Sequence, residues 1–410
     1  MASRKDNKGR VLQKGEYFRA TDGRYQFSYT DVTGKRRFLY AYSLMELRHK
    51  EKEYMIADWH GAGNYGVNVD LNFMYDRFMA TKFGLKESSY ASYLQMYNNY
   101  VREEFGKQLV KNIKYSDIQA FYAYLLKHKK VSIRTVEYVH KQLHPAFELA
   151  VQDGIITKNP SKGAYGNFKR ASGETSKKKH ALTIDQQRNF LQFIDGHPIW
   201  GRYHSIFQVM LGTGLRVGEF CGLRWEDVDF DKRQINVNHG IVCVKAIKGG
   251  AKAHLKVSQP KSEAGIRTIP IMEPVIDAFK EEYRYQELRG FKSCVVDGYT
   301  DFIFTNQNGG VYTSMRLDKA LKDIVEAYNE QEDKIAEIEE REPEYLPHIS
   351  NHILRHTFCT RLCERDVNIK VIQTVMGHSS IKITMDIYAE VSKEKQRQEI
   401  ERLANELNVF

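Results

Sequence analysis

The hydrophobic period of this chain changes twice along its length, and each change asks for a separate core. Near the N-terminus the apolar residues alternate. Tyr25, Phe27 and Tyr29 fall at period two, as do Phe38 and Tyr40, with Asp31-Val32-Thr33-Gly34 as the turn between them. That spacing predicts two antiparallel strands, and a shorter run around Tyr17-Phe18 can add a third. Ser43-Leu44-Met45-Glu46 has the form of a capping box and predicts a helix to about Trp59. Residues 60–69 contain three glycines and read as a linker. From 70 to 154 the period becomes 3.6, with helices expected over about 70–81, 88–104, 116–128 and 132–152. In the last of these Val136, Val139, Leu143, Phe147 and Ala150 form one apolar stripe, and Gly154 is placed as its stop. Asn159-Pro160 ends the unit.

A basic stretch follows at 169–179, with Lys169, Arg170, Lys177, Lys178 and Lys179 against one acid, Glu174. It reads as a solvated linker, or as a linker that also touches phosphates. Thr183-Ile184-Asp185-Gln186 resembles a second capping box and opens the third unit. Helical patterns there flank a strand-rich patch at 234–271, where Lys248-Gly249-Gly250-Ala251-Lys252 is a natural hairpin tip. The acidic run 330–344 predicts a solvated helical extension. The fold class expected is therefore α+β and multidomain, which suits 410 residues of which 42% are hydrophobic.

Charge narrows the partners. Lys and Arg number 62 against 52 Asp and Glu, a net +10, which favours a polyanion without separating nucleic acid from a membrane surface. No apolar run approaches the ~20 residues that span a bilayer, and MASRKDNKGR lacks the apolar centre of a signal peptide, so a soluble protein is expected. The five cysteines are odd in number and sparse, as free thiols in a reducing compartment would be. Cys359 and Cys363 share a helix face near His352 and His356; buried structural thiols are the favoured reading over a metal site.

Four motifs in the third unit carry chemistry. The first is Gly212-Thr213-Gly214-Leu215-Arg216-Val217-Gly218-Glu219, whose glycines permit a tight turn presenting Arg216 at a helix start. Taken alone, Arg216 reads more readily as a surface partner of Glu219. The second, Gln259-Pro260-Lys261-Ser262-Glu263-Ala264-Gly265-Ile266-Arg267-Thr268-Ile269-Pro270, looks like a turn between two strands with Lys261 at its tip. The third, His352-Ile353-Leu354-Arg355-His356-Thr357, places His352 beside Arg355 and His356 on one helix face. A fork of donors next to a titratable imidazole suits a phosphodiester, which needs charge neutralisation and proton transfer together. The fourth is Met376-Gly377-His378-Ser379-Ser380, followed ten residues after His378 by Tyr388.

In this order and spacing the four motifs resemble the tyrosine recombinase (phage integrase) family over residues 181–391. More loosely, 1–168 resembles the arm-binding and core-binding domains of conjugative-transposon integrases. The resemblance implies an arm-site DNA-binding domain at 1–67 (three-stranded sheet plus helix), a helical core-binding domain at 68–168, a basic linker at 169–180, and a mostly helical catalytic domain with a small antiparallel sheet at 181–410. It further implies Tyr388 as nucleophile, Arg216 and Arg355 on the scissile phosphate, and Lys261 as donor to the departing 5′ oxygen, with Lys256 as a rival. His352 would handle the tyrosine proton and His378 would donate a further hydrogen bond, with Glu219 and His356 in support. DNA contacts are expected from Lys35, Arg36 and Arg37 at the tip of the first sheet and from Lys177, Lys178 and Lys179.

The partners implied are double-stranded DNA at crossover and arm-type sites, three further copies in a homo-tetramer, and a small directionality factor, in a bacterial cytoplasm. No cofactor or metal is implied, and no cluster of Asp and Glu has metal-ligand spacing. A chromosome-dimer resolvase, a type IB topoisomerase or a catalytically silent regulator are the alternatives, and the extra N-terminal unit argues against the first two. The chain departs from many relatives in carrying Asn351 where they carry proline. Ile400, Leu403, Ala404 and Leu407 form a narrow apolar stripe; the pattern alone favours docking on its own catalytic domain, whereas the resemblance implies that it passes to a neighbouring copy.

Overall fold

The computed structural model describes residues 4–30, 36–57, 69–173, 180–246, 252–260, 262–292 and 294–392. They fall into two compact units, the described parts of Met1–Leu85 with Gln95–Thr175, and of Lys86–Leu94 with Ser176–Phe410.

The first unit begins with β1 (Glu16–Phe18), β2 (Tyr25–Thr30) and β3 (Arg36–Ala41), antiparallel in the order β1-β2-β3. Tyr25 lies opposite Ala41 and Phe27 opposite Leu39, so one face packs on Leu44 and Leu47 of α1 (Leu44–Ala57). In β3 the alternating aromatics belong to the other face. Phe38 and Tyr40 are exposed, because Leu39 and Ala41 take the inward parity. At the start of α1 the Glu46 amide donates to Ser43 Oγ (3.1 Å), but the Glu46 carboxylate accepts from the Tyr42 amide, one residue outside a true capping box. The expected turn at 31–34 and most of the linker at 60–69 lie outside the described residues.

Four helices follow the 3.6 period closely: α2 (Leu71–Ala80), α3 (Glu87–Tyr100), α4 (Tyr115–Lys127) and α5 (Ile133–Gln152). Asp70 caps α2 through the Phe73 amide at 2.8 Å, and Ser132 caps α5. The five stripe residues of α5 are fully buried, and Gly154 sits at φ +73° just past its end. Truncating any large member of that stripe to Ala should cost about 2–5 kcal/mol. One further helix, α6 (Ala164–Ser172), takes in the first four residues of the stretch read as linker; its Phe168 packs edge-on against Tyr122.

In the second unit α7 (Ile184–Ile194) opens with the expected capping box at Thr183 and Gln186. Helix α8 (His204–Thr213) is apolar on nearly every side and is correspondingly buried, packed between α10 (Glu273–Arg289) and α12 (Asn351–Glu364). The strand-rich patch forms two small sheets. The first is β4 (Val228–Asp229), β5 (Gln234–Val237) and β8 (Arg267–Pro270); the second is β6 (Gly240–Val244) with β7 (His254–Ser258). The motif around Lys261 therefore crosses between sheets and is not a hairpin, since β7 pairs with β6 and β8 with β5. Helix α11 (Ser314–Ile338) stops before the acidic run does. The chain then folds back so that Glu332, buried, takes Arg341 and the Glu344 amide, while most of the run is exposed as expected, helical as far as Ile338. Asn351 donates its backbone N–H to Asp318 (2.9 Å), a bond that proline could not make. Helix α13 (Ile369–Met376) and a helix over 381–392 complete the described fold.

Candidate active site

The site is assembled where three helix ends meet. Helix α8 ends at Gly214, held at φ +60°, where a Cβ would come within 2.4 Å of Phe358. The chain then reverses into the short α9 (Val217–Cys221), with Arg216 as its N-cap. Glu219 in the first turn accepts the Arg216 amide at 2.9 Å and its guanidinium at 2.7 Å. The pairing of Arg216 with Glu219 and the presentation of Arg216 at a helix start, rival readings of the sequence, are both present. The Arg216 side chain remains 42% exposed.

Glu219 also receives Arg267 of β8, at 3.1 and 2.8 Å. Burial alone would push the Glu219 carboxyl up, but the hydrogen bonds and charge of Arg267 and Arg216 hold it below the usual range. Arg355, buried on α12, donates to the Gly214 carbonyl at 2.6 Å and to the Met376 carbonyl. Burial, then the nearby Arg216, lower its pKa to about 9, which still leaves it charged at neutral pH.

The last turn of α13 gathers all three arginines. Three successive carbonyls that a helix end leaves without intrahelical partners each accept one of them: Val375 from Arg267 at 2.7 Å, Met376 from Arg355, and Gly377 from Arg216 at 2.5 Å. Arg216 and Arg267 share one carboxylate, and Arg355 lies near enough to Arg216 to feel its charge. Three guanidiniums thus face a single carboxylate, an excess of two positive charges (3 − 1 = +2) that the helix end only partly offsets. Such a cluster is built to receive an anion.

His378 follows directly and is buried; its Nδ1 lies 2.9 Å from the Thr384 hydroxyl. Burial, then Arg355 and Arg216, drive its pKa down to about 4, so the ring is neutral at pH 7. His352 stands exposed on α12, one turn before Arg355, and close enough to lower the pKa of His378 further. His356 is half-buried on the same helix. Tyr388, partly buried on the helix over 381–392, packs on the apolar cluster formed by Phe358, Cys359 and Cys363 of the helix that holds Arg355, Ile372 and Met376 of the helix that precedes His378, and Val391.

Lys261, Lys35, Lys177, Lys178 and Lys179 lie outside the described residues, as does the 400–407 stripe. Lys256, the rival lysine, is on β7 with its ammonium 2.8 Å from the Glu87 carboxylate of the same unit. Arg36 and Arg37 open β3, with Arg36 above the Phe38 ring at 5.8 Å. On that same exposed face Arg19 and Arg24 each sit 5.4 Å from the centre of Tyr40. Sequence reasoning did not single out Arg267, Thr384, Arg19 or Arg24. For Arg267 a signal exists: it shares strand parity with buried Ile269, and a charge at an inward position must have partners. Among the described residues no group of His, Cys, Asp and Glu could hold a metal ion, and no helix is long and apolar enough to cross a membrane.

Residues 180–395 match the phage integrase family, 1–56 the DNA binding domain of Tn916 integrase, and 71–126 the phage integrase N-terminal SAM-like domain. The chain is 28% identical to a transposase from transposon Tn916 of Enterococcus faecalis over 98% of its own length and 97% of the relative's. It is 29% identical to a tyrosine recombinase XerC-like protein of Caldanaerobacter subterraneus over 95% and 96%. Its fold superposes on the Tn1549 transposon integrase solved with circular intermediate DNA at a TM-score of 0.69 and 29% identity, covering 82% of this chain and 99% of that one. With its family match spanning more than half of the residues, over the very segment that gathers Arg216, Glu219, Arg355, His378 and Tyr388, the chain belongs to the phage integrase family and is a tyrosine recombinase.

Proposed function

We propose that the protein is the integrase of a mobile element, cutting and rejoining double-stranded DNA at specific sites through a phosphotyrosyl intermediate. The observation that carries this is the cluster of Arg216, Arg267 and Arg355 around a single Glu219, an anion site with excess positive charge next to the helix of Tyr388. In the reaction Tyr388 Oη attacks the scissile phosphorus, a bond to the 3′ phosphate forms, and the bond to the 5′ oxygen breaks. A phenol with a pKa near ~10 is a poor nucleophile until relieved of its proton, a task for exposed His352. The departing 5′ oxygen takes a proton from Lys261. Arg216 and Arg355, each with guanidinium N–H groups left over after the contacts above, neutralise the charge that builds on the non-bridging oxygens.

His378 contributes as a neutral donor. If the Thr384 hydroxyl donates to Nδ1, the ring proton is fixed on Nε2, which then faces the phosphate as N–H. One phosphodiester becomes a phosphotyrosyl ester of similar energy, so resealing needs no nucleotide. The match of residues 1–56 to the DNA binding domain of Tn916 integrase supports arm-type contacts by the first sheet. On this reading the protein works as a homo-tetramer on paired sites, with a small directionality factor, in a bacterial cytoplasm.

The test is Tyr388→Phe on a nicked suicide substrate. DNA binding should persist while the denaturant-resistant protein–DNA adduct disappears; adduct at the wild-type level would exclude Tyr388 as nucleophile.

A further inference from the structure

Arg267 differs from the two arginines assigned to the phosphate. Its side chain is 2% exposed, and four of its five N–H groups are already engaged. Nε donates to the Val375 carbonyl (2.7 Å), Nη1 to Glu219 (3.1 Å) and to the Gly265 carbonyl (3.2 Å), and Nη2 to Glu219 (2.8 Å). A guanidinium so occupied has little left for a ligand. Its partners belong to three segments remote in sequence: the first turn of α9, the turn Glu263–Gly265 and the last turn of α13. Gly377 closes the same junction, since a Cβ there would lie 2.9 Å from the Ala264 carbonyl and 3.0 Å from Arg267 Nη1.

We propose that Arg267 is a positioning residue for strand cleavage: it fastens Glu219 to the last turn of α13, and so sets Arg216 and His378 in register with each other. Glu219 holds Arg216 from both its amide and its guanidinium, while the Val375 carbonyl is three residues before His378. Without Arg267 the two halves of the anion site would lean more on the contacts that Arg216 and Arg355 make to Gly377 and Met376. Those are the side chains that must also turn to the phosphate. Lysine could restore the charge but not the planar fork that spans a carboxylate and two carbonyls.

This inference rests on the recombinase reading, and its test keeps the two apart. Arg267→Lys and Arg267→Met are measured beside wild type and Tyr388→Phe, by half-site gel shift, single-turnover cleavage of the suicide substrate and thermal melting. Arg267→Lys should bind DNA within about threefold of wild type yet cleave about 10²-fold more slowly, as a displacement near 1 Å would cost. Arg267→Met should in addition move the acid limb of the cleavage profile to higher pH, because a positive charge that disfavours protonated His378 is gone. In Arg267→Met the further change Glu219→Gln should cost less than it does in wild type, since of the two arginines it serves only Arg216 is left. Cleavage by Arg267→Lys within threefold of wild type overturns the proposal, as do binding and cleavage falling together in step with melting. Should Arg267→Lys not fold, Glu219→Gln tests the same link, with binding kept and cleavage lost in support, and wild-type cleavage against. Absence of adduct from wild type itself would strike the recombinase reading instead.

Discussion

Arginine is concentrated in two regions of this molecule, and the two use it oppositely. On the outer face of the first sheet Arg19, Arg24 and Arg36 lie over the rings of Tyr40 and Phe38, partly to fully exposed and steadied by stacking, with Arg19 and Arg24 also paired to Asp22. In the second unit Arg216, Arg267 and Arg355 are tied by hydrogen bonds to one carboxylate and to helix-end carbonyls. The first arrangement, apart from the ion pairs of Arg19 and Arg24 with Asp22, turns its donors toward solvent, where a long polyanion could meet them. The second uses donors on the protein itself so that the remainder point one way. Affinity needs the first kind of surface; chemistry at one phosphorus needs the second.

The comparison breaks most visibly at Arg216. Arg216→Lys should lower single-turnover cleavage by about 10²–10³-fold while half-site affinity changes only a few-fold. Cleavage within a few-fold of wild type would remove Arg216 from the phosphate. Next in size is Lys261→Ala, whose cleavage defect should be repaired by a substrate with a 5′-bridging sulfur, a leaving group that needs no proton. Failure of that repair would point to another donor. Smaller still is the double change Arg24→Ala and Tyr40→Ala on the sheet. Arm-site affinity should fall by about 1–3 kcal/mol for the lost stack and the salt slope by about one, with crossover-site cleavage untouched. Cleavage falling in parallel would mean that the two regions are not separate in function.

A stability measurement sharpens the same contrast within the protein alone. His378 has its pKa depressed to about 4 by burial and then by Arg355 and Arg216; His140 of α5 is depressed to about 4 by burial and then by His144. A base whose folded pKa lies below its unfolded value takes up protons preferentially when unfolded. Stability is therefore full above pH ~6.5 and declines as pH falls toward ~4, by at most about 1.4 kcal/mol per unit for each ring. Denaturant midpoints at pH 7 and pH 5 should show this loss, and His378→Gln or His140→Gln should each reduce it. The least effect is expected from Lys256→Ala, which removes an exposed ion pair with Glu87. Cleavage should stay within about twofold, in keeping with the small worth of surface pairs.

What the sequence made legible was whatever repeats locally. The helical stripe from Val136 to Ala150, the box at Thr183 and Gln186, and the strand alternation at Tyr25, Phe27 and Tyr29 each depend on neighbours a few residues away, and each appears in the fold. So does the grouping of Arg216, Arg355 and His378, which came from motif order and not from periodicity. The rest depends on contacts between distant segments. Nothing near Arg267 announces that Val375 will lie 2.7 Å from its Nε. Phe38 and Tyr40 alternate as core residues do, yet the register with β2 turns them outward. The acidic run beyond residue 330 resembles a solvated face, and only the chain reversal brings Arg341 to Glu332.

The sharing of Glu219 by two arginines also bears on how such a protein can change over generations. A carboxylate that serves Arg216 and Arg267 together makes their substitutions non-additive, so a lineage drifting at any one of these positions meets a loss that no single second change repairs. The aromatic-arginine face of the first sheet carries a looser tie of the same kind, since Asp22 serves both Arg19 and Arg24. The Asp22 side chain is 27% exposed where that of Glu219 is 10%, so water offsets more of each loss and substitutions there should cost less.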